Sequence, residues 1–382
     1  MELNVISLTA IDILNCELNN ILMENENKKQ LSSEILKGVY KLLKFHGLNH
    51  VLFNFVKKNK IEIPKELSNI LENDYLKAVL KSEKITFETN SVSNILNDSC
   101  IKHAILKGEE IRAFYPKGFI RPSVDIDILV EEKSLSKALK ALKNQLNIVK
   151  EERNYHDVTL ILDNGVVIEL HFTLSENDER LDKITEDCFN NLEKDANFKY
   201  KFNSEFLVAY LITHTAYHFY NGGCGIKSLI DLYLIKTNLK YDENLVIAYL
   251  EKGGLAVFYK KLLELTSVWF LSKEHTSTTI KLQEFILNGG EFGSFIQSKK
   301  VNESKSKTLI KKVFLPYKTL CNYYPILKKV CILYPVFIVV RCFKVVFSKE
   351  KQNRVKNQIK SQVASGENKE KLNSLFKELN LS

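Results

Sequence analysis

The hydrophobic pattern of the chain changes its period twice. Through residues 1–100, apolar side chains recur three or four positions apart, as at Ile35 and Val39, a spacing that predicts amphipathic helices. Between residues 101 and 200 the apolar runs become short and are separated by polar turns, which is typical of strands. Helical spacing returns over residues 204–290. The pattern therefore predicts an α+β protein in which a sheet lies between two helical regions.

Four short apolar runs in the middle of the chain predict strands, with a helix between the second run and the third. The runs are 103–106, 124–130, 158–162 and 166–170, and the amphipathic segment is 133–146. Asp163, Asn164 and Gly165 separate the last two runs, and an Asn-Gly pair between strands is a strong signal for a tight hairpin turn. We expect a mixed sheet flanked by helices.

Two helices are predicted directly after the sheet. The first opens at Ser204, carries His214 and His218, and ends at the glycines that begin with Gly222, while the second covers residues 227–236. We divide the chain into four units, which are 1–100, 101–200, 201–298 and 299–382. The first and third are helical, the second carries the sheet and the candidate chemistry, and the fourth is a basic, aromatic extension.

The fourth unit differs from the rest in charge. The protein carries +9, yet residues 299–360 hold 16 Lys or Arg against Glu303 and Glu350, a local charge of +14. Such asymmetry predicts an anionic partner, either a membrane surface or RNA. Residues 330–340 are uncharged and mostly apolar, but shorter than the roughly 20 residues that span a bilayer. They are consistent with a helix on a membrane surface, with a core helix whose lysines face water, or with a nucleic-acid contact.

The cysteines form no metal-binding or disulfide pattern. All seven, at positions 16, 100, 188, 224, 321, 331 and 342, lack CxxC or Cys/His spacing. The first residues also lack the basic-then-apolar order of a signal peptide. We therefore expect a protein of the reducing cytoplasm, either free or peripheral at the membrane.

The strongest candidate for chemistry is the Val-Asp-Ile-Asp-Ile-Leu-Val run that begins at Val124. Side chains alternate along a strand, so Asp125 and Asp127 leave one face while β-branched residues line the other. Acidic-x-acidic triplets arise often by chance, and Glu176-Asn-Asp178 is one in polar surroundings. Charges inside an apolar strand are costly unless they are used or paired. The triplet therefore predicts a divalent cation, Mg²⁺ or Mn²⁺, with a salt-bridged sheet edge as the alternative.

A second acidic strand follows the predicted hairpin turn. In Val-Val-Ile-Glu-Leu-His, Glu169 and His171 share one face. If this strand lies beside the aspartate strand, Glu169 supplies a third carboxylate, and three carboxylates can hold two Mg²⁺ ions against a triphosphate. Glu169 can also accept the proton of an acceptor hydroxyl, and its structural alternative is an ion pair with a lysine.

Candidate phosphate-binding groups precede the aspartate strand. Lys107 and Gly108 end an apolar run and a helical pattern starts near Glu109, which places a lysine and backbone donors at a helix start. Arg121 stands just before the strand, where it can neutralise phosphate or brace Asp127.

Together these motifs resemble a known family. Ile-Leu-Lys-Gly, Arg-Pro-Ser-Val-Asp-Ile-Asp-Ile-Leu-Val and Val-Ile-Glu-Leu-His are similar to the uncharacterised nucleotidyltransferase family of the DNA polymerase beta-like nucleotidyltransferase superfamily. The helix with two histidines, the Ile-Lys-Ser-Leu-Ile-Asp segment and the Phe-Leu-Pro and Tyr-Tyr-Pro runs extend the resemblance over nearly the whole chain. The resemblance implies a nucleotidyltransferase-type sheet in which Asp125, Asp127 and Glu169 are metal ligands.

We also expect a set of nucleotide contacts. The set comprises Lys107, Gly108, Arg121, Ser123, His171, His214, His218 and Asp231. His214 and His218 lie one turn apart and are open to a metal, a substrate or a packing role, and Asp231 to a nucleotide hydrogen bond or a helix cap. The chain departs from the superfamily at Glu109, where Ser or Gly normally helps to hold phosphate and a carboxylate would repel it.

The sequence therefore predicts a metal-dependent enzyme that transfers a nucleotidyl group from an NTP, such as ATP, to an acceptor hydroxyl or phosphate of a small molecule or glycan. A toxin-like enzyme that modifies RNA is a second hypothesis. A non-catalytic nucleotide-binding protein, favoured by Glu109, is a third.

Overall fold

The computed structural model describes residues 2–291, 314–347 and 366–381, and helices form its N-terminal part. They are α1 (Glu2–Leu18), α2 (Asn25–Lys29), α3 (Ser33–Phe45), α4 (Val51–Asn59) and α5 (Lys65–Asp98). Pro64 directly precedes α5, at a position that requires no backbone N–H donor. The helical spacing of residues 1–100 is thus confirmed.

A seven-stranded mixed sheet follows, with helices packed against it, which confirms the α+β class. The strands are β1 (His103–Ile105), β2 (Asp125–Val130), β3 (Ile148–Arg153), β4 (Asp157–Leu162), β5 (Val167–His171), β6 (Leu192–Ala196) and β7 (Lys199–Phe202). Between them lie α6 (Lys107–Arg112), α7 (Leu135–Gln145) and α8 (Glu179–Thr185). The order across the sheet is β3-β4-β5-β2-β1-β7-β6, with β2 parallel to β5 and antiparallel to β1.

All four predicted strands are present, and the hairpin turn joins β4 to β5 as predicted. Gly165 has φ +82° there, a conformation that glycine adopts without strain. The hydrophobic pattern does not predict β3, β6 or β7. β3 and β6 are the two edge strands and consist mainly of exposed residues, so they lack the apolar run that marks a buried strand.

Helices return after the sheet, again as predicted. They are α9 (Ser204–Asn221), α10 (Ile226–Asn238), α11 (Glu243–Glu251), α12 (Ala256–Leu271), α13 (Ser277–Gly289), α14 (Tyr317–Tyr323), α15 (Tyr334–Phe347) and α16 (Gly366–Glu378). Gly222, with φ +135°, ends α9 at the predicted position.

Different helices cover the two faces of the sheet. Ile126 and Ile128 of β2 pack in a core with α5 and α7. Leu129 points to the other face, into a core to which α9 contributes Phe206 and Tyr210. The two aspartates of β2 alternate with the isoleucines, so they lie on the face that α9 covers.

One hydrophobic core joins the N-terminal helices to the helices that follow the sheet. Phe55 of α4, Phe219 of α9, Phe258 of α12 and Phe376 of α16 all belong to it. The ring centroid of Phe219 lies 5.2 Å from that of Phe258 and 5.4 Å from that of Phe376. The division into four units stays an interpretation, and the units 1–100 and 201–298 share this core.

Part of the basic extension, residues 299–313 and 348–360, lies outside the described residues. Within the described ranges, every helix is too short or too polar to cross a membrane. The seven cysteines are all free thiols, which agrees with the absence of a disulfide pattern in the sequence.

His46 ties three helices together as a neutral ring. It caps α3, its Nε2–H donates to the carbonyl of Leu287 at 3.1 Å, and its Nδ1 accepts from the amide of Ile226 at 3.4 Å. Burial lowers the pKa of His46 from 6.5 to about 4. Between these values the unfolded chain binds more protons than the folded chain, so the free energy of unfolding decreases as the pH falls. For His46 alone the full loss is about 3 kcal/mol.

We therefore expect the urea midpoint of unfolding, followed by circular dichroism, to fall as the pH is lowered from 6.5 towards 4. His46→Gln keeps one donor and one acceptor but has no titrating ring, so its midpoint should depend less steeply on pH. His275→Gln, at an exposed position, is the matched control. The same pH dependence in His46→Gln and wild type would contradict this assignment.

Candidate active site

The two acidic strands lie side by side, as the sequence hypothesis requires. β2 and β5 are parallel neighbours, and their register places Asp127 opposite Glu169 and Asp125 opposite Val167. Asp125, Asp127 and Glu169 therefore share one face of the sheet. Their side chains line a cavity of about 330 Å³, which α9 and the start of α10 close from above.

The structure brings the expected nucleotide contacts to the same cavity. Its lining includes Lys107, Gly108, Arg121, Ser123, His171, His214, His218 and Asp231. These residues come from five separate stretches of sequence, so their meeting is a property of the fold. The role of each one depends on its partners.

The side chain of His171 bridges two of the carboxylates. Its Nε2–H donates to Asp127 Oδ1 at 2.9 Å and lies 3.5 Å from Glu169 Oε2. Burial alone would lower the pKa of His171, but these two hydrogen bonds outweigh it and raise the pKa to about 9. Among the described residues, Glu169 is thus paired with a histidine and not with the lysine of the alternative interpretation.

The pKa values of the two aspartates of β2 are shifted in opposite directions. Burial, together with the like charges of Asp127 and Glu169, raises the pKa of Asp125 to about 6. Burial would also raise the pKa of Asp127, but Lys107 and His171 outweigh it, and this pKa lies below the usual range. The negative charge of the cluster therefore exceeds what Lys107 and His171 compensate.

The donor atoms of the cluster fit a divalent metal ion. Ligand atoms of Asp127, Glu169 and His171 lie within 4.8 Å of one another, with His171 Nε2 occupied by the hydrogen it donates to Asp127 and with Asp125 outside this group of three. Carboxylate oxygens are ligands that suit Mg²⁺ and Mn²⁺, and a cation here would relieve the repulsion on Asp125. The alternative of a salt-bridged sheet edge fits in part: β2 lies inside the sheet and no described cationic side chain forms an ion pair with Asp125, whereas Asp127 is paired with His171.

His156 packs against the ring of His171. The rings of His156 and His171 stack with centroids 5.3 Å apart and planes 4° from parallel. His156 Nε2 lies 2.8 Å from Oδ2 of the buried Asp157, whose Oδ1 accepts from Asn154 and Thr159, each at 2.9 Å. His156, Asp157 and His171 are also close enough to share a metal ion, but the carboxylate of Asp157 already has His156, Asn154 and Thr159 as partners. This network positions His171.

Lys107 supplies a fixed positive charge. It is the first residue of α6 and has φ +35°, and its Nζ lies 5.5 Å from the ring centroid of Tyr210. Burial would lower the pKa of Lys107, but Tyr210, Asp127 and Glu176 outweigh it and raise the pKa above its ordinary value. The ammonium group therefore stays charged beside the carboxylates.

Gly108 lets the backbone approach the wall of the cavity closely. A Cβ atom at this position would lie 3.0 Å from Ser123 Oγ and 3.4 Å from Arg121 Nη1. Ser123 in turn donates its hydroxyl hydrogen to the backbone oxygen of Asp125 at 3.0 Å, which fixes the start of β2. A side chain at residue 108 would therefore disturb the strand that carries the aspartates.

Arg121 is bound by Asp231, which corrects the expectation that it braces Asp127. Arg121 Nε and Nη2 each donate to one carboxylate oxygen of Asp231 at 2.8 Å, and Nη1 donates to the carbonyl of Gly108 at 3.3 Å. The hydroxyl of Tyr115 also donates to Asp231 Oδ1 at 2.6 Å. All of these side chains are buried. The pair thus joins the loop before β2 to the middle of α10, and Asp231 acts as an anchor instead of a helix cap.

Glu109 points away from the cavity. One of its oxygens lies 2.7 Å from Arg112 Nη2, and the other accepts a long hydrogen bond of 3.5 Å from Thr86 of α5. Glu109 is absent from the cavity lining. The expected repulsion between this carboxylate and bound phosphates therefore does not apply to this geometry.

His214 and His218 form a hydrogen-bonded chain that ends at an acid. His218 Nε2–H donates to His214 Nε2 at 2.9 Å, and His214 Nδ1–H donates to Glu176 Oε1 at 2.9 Å. This assignment of hydrogens makes both rings neutral, in agreement with burial, which lowers both pKa values, that of His218 to about 3. Within the described ranges, neither histidine belongs to a metal-binding cluster, which leaves contact with substrate or packing as their open roles.

Among the cavity residues that sequence reasoning missed are Glu176 and Lys227. Glu176 belongs to an acidic triplet in polar surroundings, and the other acid of that triplet, Asp178, caps α8 by accepting from the amide of Arg180 at 3.0 Å. No local signal separates Glu176 from a chance triplet. Lys227 lies in the first turn of α10, directly after a glycine-rich turn, and that combination is a signal for an anion site that could have been recognised.

A comparison with known protein families matches the part of the chain that carries this cavity. A model of a family described as an uncharacterised nucleotidyltransferase matches residues 35–271. The match covers more than half of the chain and includes the whole sheet, α9 and α10. No curated protein and no solved structure matches the chain.

The buried ion pair of Arg121 and Asp231 predicts a large loss of stability when one partner is removed. Arg121→Ala leaves the carboxylate of Asp231 buried without its cation, which should cost about 3–5 kcal/mol in urea unfolding. Arg121→Lys keeps the charge but loses the two parallel bonds, so it should be intermediate. The control Lys236→Ala removes an ion pair in which both partners are partly exposed and should cost at most about 1 kcal/mol. Equal losses in Arg121→Ala and Lys236→Ala would reject the anchoring role.

Proposed function

We propose that this chain, which belongs to the family of uncharacterised nucleotidyltransferases, transfers a nucleotidyl group from an NTP to a hydroxyl or phosphate of a small molecule or glycan. The observation that carries the proposal is the convergence of Asp125, Asp127 and Glu169 from two adjacent strands on one cavity. The family membership supports a transferase at a coarse level. The size of the cavity, about 330 Å³, suits small ligands, which favours a small acceptor.

In this proposal Asp125, Asp127 and Glu169 hold Mg²⁺ or Mn²⁺. When bound, the metal would neutralise the triphosphate and the charge that develops during transfer. His171, kept in place by its stack on His156, orients the oxygens of Asp127 and Glu169. Support of this kind is typical of metal-binding carboxylates, whose orientation depends on their hydrogen-bond partners.

The chain itself supplies a candidate base and phosphate-binding groups. The reaction joins the acceptor oxygen to the α-phosphorus, breaks the bond to the bridging oxygen and releases pyrophosphate. Glu169 is placed to take the proton of the acceptor, because its side chain is 28% exposed against 10% for Asp127. Lys107 and the backbone N–H of Gly108 would bind phosphate oxygens from the other side of the cluster.

Residues of α9 and α10 form the opposite wall. His214, held by Glu176, presents a neutral ring to the cavity, and Lys227 presents a cation. Arg121 contributes positive potential but is already engaged by Asp231, so we assign it to positioning. The wall can therefore contact the base, the sugar or the acceptor, while the sheet holds the reacting phosphate.

The two alternatives differ in their support. An enzyme that modifies RNA depends on the basic residues 299–360, and its discriminating property is binding that weakens steeply with salt. The non-catalytic alternative depends on Glu109, whose side chain is paired with Arg112 outside the cavity. The geometry therefore favours catalysis.

We expect Asp127→Asn to abolish turnover. The substitution keeps the shape of the side chain but removes the carboxylate charge, so transfer of label from radiolabelled NTPs should fall by about 10³-fold. The matched control is Asp163→Asn in the exposed turn between β4 and β5, which should retain wild-type activity. Circular dichroism verifies that both variants are folded. Equal turnover by Asp127→Asn and wild type would reject the assignment of the site.

We expect Glu109→Ser to leave turnover within about threefold of wild type, although it introduces the residue type found in the superfamily. The variant should instead lose about 1–3 kcal/mol of stability, because Arg112 loses its buried partner. Kinetics with each NTP and urea unfolding measure the two effects separately. A large gain of activity would mean that the Glu109 side chain reaches the phosphates.

A further inference from the structure

An apolar stripe runs along one exposed side of α15. Val336, Val339, Val340 and Phe343 are spaced three, four and seven residues apart, which places them on one helical face. Their exposed fractions are 54%, 54%, 36% and 59%. Four large apolar side chains in contiguous, exposed positions are unusual for a surface helix and indicate an interaction site.

The other side of α15 is packed, so the exposed stripe is not the result of a loose helix. Phe337 and Ile338 contact a small core formed by α14 and the turns that follow it. The ring centroids of Phe337 and Tyr324 lie 4.5 Å apart, and the hydroxyl of Tyr334 donates to the carbonyl of Leu315 at 3.0 Å. The helix is thus fixed in its rotation, with its valines directed outward.

Apolar residues before α15 enlarge this surface. Ile326 is 50% exposed and Ile332 is 81% exposed. Together with the four side chains of α15 they form the apolar surface of residues 326–343. All six side chains are more exposed than the side chains of the cores.

The segment that bears this surface is fastened to the sheet. Arg153 Nε of β3 donates to the carbonyl of Asn322 at 2.9 Å, and the hydroxyl of Thr319 donates to Asn177 Oδ1 at 2.9 Å. Lys328 forms an ion pair with Glu132 before α7. The apolar surface therefore has a fixed orientation relative to β3 and to the loop that carries Glu176.

All charged side chains in the segment that bears the apolar surface are positive. Residues 314–347 contain five Lys or Arg and no Asp or Glu. Lys329 is exposed and lies three residues from both Ile326 and Ile332 in the sequence, and residues 299–360 carry a charge of +14. An apolar face with a basic border complements a surface that is anionic at its boundary and apolar beneath it.

We propose that the apolar surface of residues 326–343 docks on an anionic phospholipid surface. Valine, isoleucine and phenylalanine side chains enter the boundary between headgroups and acyl chains, while the lysines contact phosphate groups. RNA fits less well, because five of the six apolar side chains are aliphatic and offer no face on which a base can stack. α15 has 14 residues, too few for a span of about 20, so the helix lies along the surface.

This inference does not depend on the nucleotidyl transfer proposed above, and it is tested by its own measurement. The full-length protein is sedimented with vesicles of phosphatidylcholine alone or mixed with phosphatidylglycerol. We expect binding to the anionic vesicles that decreases as salt is added, and little binding to the neutral vesicles.

Two matched double variants distinguish vesicle binding through the apolar stripe from nonspecific hydrophobic binding. Val339→Ser/Phe343→Ser should reduce the partition coefficient on anionic vesicles by about tenfold or more, because two side chains no longer enter the apolar layer. Val257→Ser/Leu271→Ser alters two exposed positions on α12 and should bind like wild type. The circular dichroism spectrum and the urea midpoint should be the same in both variants, which shows that each is folded.

Three results would overturn the inference. The first is equal vesicle binding by Val339→Ser/Phe343→Ser and wild type, and the second is binding to RNA without binding to vesicles. The third is a stable dimer in analytical ultracentrifugation that dissociates in the stripe variant, since the occupant would then be a second copy of the chain.

Discussion

Repulsion between carboxylates inside a buried cleft is the constraint around which this molecule is organised. Strand register places Asp127 and Glu169 on neighbouring strands at the same level, and alternation adds Asp125. At an effective dielectric constant near 20, two such charges about 4 Å apart repel by about 4 kcal/mol. Lys107 and His171 offset part of this cost, while burial and then the charges of Asp127 and Glu169 raise the pKa of Asp125. A cleft of this kind attracts cations.

The chain uses its two kinds of cationic side chain for different purposes. Arg121 forms a planar, two-pronged pair with Asp231, and such a pair fixes geometry. Lys107 and Lys227 line the cavity as single charges on flexible stems, which suits ligands whose phosphates move during a reaction. Gly108 contributes to both purposes. Its carbonyl accepts a hydrogen bond from Arg121, and its backbone forms the cavity wall beside Lys107.

Much of the fold and part of the site could be predicted from the sequence, and the exceptions have physical causes. Alternation of aspartate with isoleucine identified β2 because burial on one face leaves a period of two in the sequence. The edge strands β3 and β6 have few buried side chains, so their sequences show no period of two. Glu176 lies in the loop between β5 and α8, and this loop brings it to His214. Their hydrogen bond depends on tertiary structure. The pairing of Arg121 with Asp231 across 110 residues is of the same kind.

The anchor between Arg121 and Asp231 also determines how ligands can enter the cleft. It joins the loop before β2 to the middle of α10, and both ends are buried. A hinge motion that separated the sheet from α10 would have to expose this pair, and the shared core of N-terminal and later helices opposes the same motion. The cleft is therefore preorganised, because opening it between the sheet and α10 would break the anchor and separate the shared core.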